Sequence, residues 1–95
     1  MQKDNTKERL VSISQFLKAH VASETFKKGY NDALKNIDYD YNVKDKASAI
    51  RYARGRAFAI YCKSTKQPRA VWRKGILAKT AQERFIYAAR TGWIL

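Results

Sequence analysis

Three short segments of this chain place an aromatic ring, a cation and a glycine at one spacing: Phe26-Lys-Lys-Gly29, Tyr52-Ala-Arg-Gly55 and Trp72-Arg-Lys-Gly75. A ring face can stack on a base, a neighbouring Lys or Arg can neutralise a phosphate, and a glycine lets a backbone or ligand come close. On a helix the same spacing has a packing use, because residues three and four apart share a face and a missing side chain lets a second helix approach. A helical glycine costs about 1 kcal/mol relative to alanine, so it requires a compensating contact. The first two copies extend in the same register, to Ala33-Leu34 and to Ala59-Ile60, which points to Gly29 and Gly55 as a packed helix pair. Trp72-Arg73-Lys74 is the copy expected to touch a partner.

The cations around that third copy are dense. Arg51, Arg54, Arg56, Lys63, Lys66, Arg69, Arg73 and Lys74, with Trp72, form the expected partner-binding set, and no acidic residue lies between residues 46 and 82. Over the full 95 residues Lys and Arg total 20 against 8 Asp and Glu, a net charge of +12. Residues 1–45 are almost balanced, and the second half carries nearly all the surplus, with Glu83 its one acid. Every arginine except Arg9 lies after residue 50. Arginine suits bidentate phosphate recognition and stacking, beyond what solubility needs. Such a surface calls for a polyanion, with RNA or a ribonucleoprotein favoured over sequence-read DNA, or else for an acidic protein surface. No segment carries a helix-turn-helix signature.

Other constellations fall short of a site. Asp38-Tyr-Asp40-Tyr-Asn42 opens like a calcium loop, but Val43 stands where the turn needs glycine and Ala49 where the bidentate glutamate belongs. Asp38, Asp40 and Asp45 are therefore expected to support the N-terminus of the next helix. His20 is the sole histidine and Cys62 the sole cysteine, so a metal cluster or a His-based relay has little to draw on. His20 is expected near a helix C-terminus, where an imidazolium meets the dipole favourably, and Cys62 as a buried structural residue. No cofactor, metal or enzymatic activity is expected. A lone cysteine and a polar N-terminus fit a reducing, cytoplasmic location, with no segment apolar enough for a membrane.

The elements that must position these residues read as helices. Asn5 or Thr6, with Glu8, caps a helix over about 6–21, and Ser23-Glu24 opens a second over 24–35. A loop pinned by Tyr39, Tyr41 or both leads to Asp45, the N-cap of a helix over about 46–63 with Ile50, Ala53, Ala57 and Ile60 as its apolar stripe. Pro68 breaks the chain before a helix over 69–78. Thr80-Ala-Gln-Glu83 reads as a capping box for a last helix over 81–91 that Gly92 terminates. No window alternates as a sheet would, so the fold class is all-α, a single-domain bundle of four to five helices.

Over residues 24–60, Gly29-Tyr30, Tyr41 in the turn and Tyr52-x-x-Gly55 resemble the ribosome modulation factor family, whose small members pair two helices around an aromatic turn. Asp40-Tyr41 stands where that family has a Cys-Pro-Tyr turn, and Arg56 replaces an aromatic. The resemblance implies binding to ribosomal RNA. The function expected from the sequence is a small basic nucleic-acid-binding protein acting by charge and stacking. The alternative is a non-enzymatic accessory or inhibitor protein, of phage or mobile-element type, that docks its basic face on an acidic protein.

Overall fold

Ser23 and Asp45 set the two firmest boundaries. Each sits in extended backbone and its side chain accepts a bond from a first-turn amide, Ser23 from Phe26 N–H at 3.1 Å and Asp45 from Ser48 N–H at 2.9 Å. The computed structural model describes residues 15–94. The expected cap at Asn5 or Thr6 lies outside them, and the described part of helix α1 covers 15–21. Then follow α2 (Glu24–Leu34), α3 (Lys46–Ser64), a two-stranded hairpin of β1 (Trp72–Arg73) and β2 (Ile76–Leu77), and α4 (Lys79–Arg90). The architecture is mostly α, as the periodicity predicts.

The last three helices end in one way. At Asn36, Lys66 and Gly92 the backbone turns left-handed, with φ of 61°, 57° and 88°. In each case the next amide reaches back to the carbonyl five residues earlier: Ile37 to Asp32, Gln67 to Cys62 and Trp93 to Ala88. These are Schellman ends, and they satisfy the orphan carbonyls of the last turn.

The expected helix over 69–78 does not form. The chain leaves Pro68 extended, pairs Trp72 with Leu77 and Arg73 with Ile76 in antiparallel register, and turns through Lys74 and Gly75 with φ of 53° and 80°. Two consecutive positive φ values make the mirror-image turn that suits the twist of a two-residue hairpin. Alternation then puts Trp72 and Leu77 inward and leaves Arg73 and Ile76 outward. The expected capping box at Thr80 is absent too. The final helix starts at Lys79 behind Ala78, which gives no side-chain cap, and Gln82 Nε2 donates instead to Leu77 O at 2.7 Å.

α2 and α3 meet through their glycines. A Cβ on Gly29 would overlap the carbonyl oxygen of Tyr52, and one on Gly55 that of Phe26, so each copy of the aromatic-x-x-glycine pattern seats the other's carbonyl. Around the crossing, Phe26, Phe58 and Phe85 pack with ring centroids 4.9 to 6.1 Å apart, joining α2, α3 and α4. The face of α3 that builds this core carries Tyr52, Gly55, Phe58, Ala59 and Cys62. The expected stripe of Ile50, Ala53, Ala57 and Ile60 is not the core face: Ile50, Ala53 and Ile60 are exposed and Ala57 is half-buried. α3 is apolar on two sides, and the larger rings decide which side goes in.

His20 lies in the last turn of α1, as expected, but as a buried neutral ring and not an imidazolium facing the dipole. It is 1% exposed, lies among Phe16, Phe26 and Phe85, and its Nδ1–H donates to Phe16 O at 2.6 Å. Burial lowers its pKa below the ordinary 6.5, and Arg54 and Arg51 press the same way, so the ring is neutral in the core.

Candidate nucleic-acid interface

The cations of α3 are mostly engaged inside the molecule. Arg54 donates to His20 Nε2 at 3.2 Å and its guanidinium lies 4.9 Å from the Phe16 ring centre. Arg56 donates to Ile37 O at 2.7 Å and lies 5.6 Å from the Tyr39 ring centre. Lys63 donates to Asn36 Oδ1 at 3.0 Å, holding the left-handed end of α2. These three fix the loop and helix ends. Arg51 is half-buried on the side of α3 that faces His20.

Tyr52 explains why Arg56 is held. Its hydroxyl donates to Asp32 Oδ2 at 2.7 Å and accepts from Asp40 N–H at 3.1 Å, so the loop after α2 is tied to α3. Lys28 bridges Asp32 and Asp40 at 2.9 and 3.0 Å, and these are the ion pairs among the described residues. The Tyr52 hydroxyl and Lys28 hold the Asp32 carboxyl below its ordinary pKa, and the Asn42 amide does the same for Asp40. Asp40 Oδ1 accepts that amide at 2.9 Å and Asp45 caps α3, which leaves the calcium-like loop occupied by local bonds. Among the described residues no three His, Cys, Asp or Glu side chains gather to hold a metal.

Trp72 turns inward. Its indole is half-buried, 5.3 Å from the Tyr30 ring and 6.2 Å from Phe26, and Nε1 is buried without a hydrogen-bond partner. That placement corrects the expectation of an open stacking platform, because its ring serves the core. Tyr30 supports the same segment through its hydroxyl, which accepts Ala70 N–H at 2.9 Å.

What remains outward is a strap between α3 and α4. Lys66, Arg69, Arg73 and Lys74 are exposed, and their side chains make no hydrogen bond or ion pair among the described residues. Residues 65–78 contain no acid to neutralise them. Lys66 and Lys74 stand at left-handed positions where glycine or asparagine is the unstrained choice. Val71 and Ile76, 48% and 50% exposed, sit with Arg73 on the outer face of the hairpin. Lys79, exposed just after β2, extends the strap and was not in the expected set. Its position in the acid-free stretch is the signal that points to it. Lys27 flanks the strap from α2, with Nζ 5.9 Å from the Trp72 ring centre.

Of the expected set, then, Lys66, Arg69, Arg73 and Lys74 come together on one connected segment, whereas Arg54, Arg56, Lys63 and Trp72 stabilise the fold. Cys62 is 2% exposed and burial raises its thiol pKa, which disfavours the reactive thiolate. No helix among the described residues is long and apolar enough to cross a membrane. No protein-family model, no curated protein and no solved structure matches this chain.

Proposed function

We propose that this protein binds nucleic acid, with RNA favoured, through the strap of residues 66–79 by charge and backbone shape. The observation that carries this reading is the concentration of uncompensated cations at Lys66, Arg69, Arg73 and Lys74, in a segment that contains no acid. Two of the four lysines and arginines are held in left-handed backbone. A fold selected for stability alone favours Gly or Asn at such positions, so the retained charge points to a use. The indole of Trp72 packs on Tyr30 and takes no part in stacking on a ligand, and the exposed Val71 and Ile76 supply apolar contact beside the charges. The short motifs Gly29-Tyr30, Tyr41 and Tyr52-x-x-Gly55, which resemble those of the ribosome modulation factor family, favour RNA as the polyanion. The buried, unpaired Cys62 fits action in a reducing, cytoplasmic setting.

The test is a salt titration. If the four cations each neutralise one phosphate, log affinity falls against log salt with a slope of about −3 to −4 on duplex DNA and a shallower one on single strands. The purified protein should also carry 260 nm absorbance that nuclease and high salt remove. A slope near zero, with no retention on heparin, overturns the reading.

A further inference from the structure

Tyr41 is 86% exposed, and no other large apolar or aromatic side chain among the described residues exceeds the 60% of Tyr87. The backbone on both sides of it is nevertheless tied down. Arg56 donates to Ile37 O at 2.7 Å, Tyr39 packs edge-on to the Tyr52 ring at 5.0 Å, and Asp40 N–H donates to the Tyr52 hydroxyl at 3.1 Å. Asn42 N–H donates to Asp40 Oδ1 at 2.9 Å, and Lys28 meets Asp40 Oδ2 at 3.0 Å. Tyr41 therefore projects from between two fixed residues. Among the described residues it adds to this network only a ring contact with Tyr39, 4.7 Å between centres.

A ring so placed suits one kind of contact. An aromatic side chain with two torsions on a fixed backbone loses little freedom when it is covered, and every base offers it a π-face. The charge of the loop decides between base and phosphate. Asp38 is exposed on the same turn, so a phosphate brought here meets a carboxylate, whereas a neutral base face meets no such repulsion. Base faces are open only where the bases are unpaired and unstacked, so the loop favours single strands over duplex. A protein anchor would call for an apolar surround that excludes water, and the neighbours of Tyr41 in the turn are Asp38, Asp40 and Asn42.

We propose that Tyr41 is a stacking platform for an unpaired base, which makes a single strand or a looped RNA the preferred ligand of this protein. The inference rests on the nucleic-acid reading and gives it a second contact, outside residues 66–79.

The test compares wild type, Tyr41→Ala and Tyr41→Phe on a single-stranded RNA of about 20 nucleotides, longer than the sites such surfaces cover, and on a duplex of equal length. Tyr41→Ala should melt as wild type and bind the single strand about tenfold or more weakly, with duplex affinity within about twofold. Stacking releases no counterions, so its salt slope on the single strand should equal that of wild type, unlike the slope of a variant lacking a strap cation. Tyr41→Phe should bind as wild type, because the ring and not the hydroxyl makes the contact. Tyr41→Trp supplies a second signal: its added emission should be quenched by the single strand and not by the duplex. A Tyr41→Ala protein that binds the single strand as wild type, that loses single strand and duplex equally, or a Tyr41→Trp emission that the single strand leaves unchanged overturns the proposal. Where the wild-type salt slope is still steep, the strap reading survives that result and the exposed ring is left to a protein partner. Wild-type protein that binds neither strand nor duplex overturns the strap reading, and this proposal with it.

Discussion

Gly29 and Gly55 face each other's chains at the α2–α3 crossing, each occupying the place where a side chain would collide with the other helix's carbonyl. Because the obstacle is backbone, it cannot swing aside as a flexible side chain would. Gly55→Ala should therefore destabilise by about 2 kcal/mol or more, although alanine's helix propensity favours it by about 1 kcal/mol. Thermal melting followed by circular dichroism checks this, and a raised melting temperature would contradict the crossing.

Lys66 and Lys74 should respond in the opposite sense. Lys66→Gly and Lys74→Asn each relieve a left-handed residue at exposed positions, so each should stabilise by about 0.5–1 kcal/mol. Each also removes one cation from the strap and should make the salt slope shallower by about 0.9 on duplex DNA. A more stable protein that binds less is the expected signature. If affinity and slope stay unchanged, the strap is not the interface.

Trp72→Ala should behave as a core lesion. Its ring packs on Tyr30 and Phe26, and since it is half-buried the loss should be about 2–4 kcal/mol, toward the lower part of the range for aromatic truncations. The salt slope of the protein that remains folded should match wild type. A stable Trp72→Ala protein with weakened binding to single strands would return the indole to a stacking role.

Stability should fall on mild acidification because of His20. The unfolded histidine protonates near 6.5, whereas burial among aromatic rings beside Arg54 and Arg51 lowers the folded pKa. The unfolded state thus binds more protons between those two values. The contribution is complete above about pH 6.5 and is lost as pH falls toward the folded pKa, with a limit of about 1.4 kcal/mol per pH unit. Urea melts of His20→Gln should lack this limb. They should keep the more acidic one, where Asp32, its pKa lowered by Tyr52 and Lys28, takes up its proton.

α2 and α3 were legible in the sequence because Ser23 and Asp45 are caps that act within one turn, and because the paired pattern at Phe26 and Tyr52 repeats at length. The hairpin was not. Trp72-Arg-Lys-Gly75 has the same local spacing as the helical copies, and spacing does not distinguish a glycine needed for close approach from one needed for positive φ. The choice between the two apolar faces of α3 also lay outside local pattern, since it depends on which rings meet Phe85. Within the site, the charge asymmetry identified the strap cations Lys66, Arg69, Arg73 and Lys74. It could not show that Arg54, Arg56 and Lys63 would be engaged by His20, Ile37 and Asn36, because those partners are distant in sequence.

The α2–α3 crossing has a kinetic consequence. The two helices are neighbours in the chain, share the most extensive element contact among the described residues, and are further joined by the Tyr52 hydroxyl to Asp32 and Asp40. Local contacts close cheaply, so this pair is expected to form first, with the hairpin and α4 docking onto it afterwards. Amide hydrogen exchange should accordingly be slowest around Gly29 and Gly55 and faster in the 66–77 segment, which has a two-residue ladder to protect it. On that gradient, local opening of the charged strap leaves the helix pair beneath it closed.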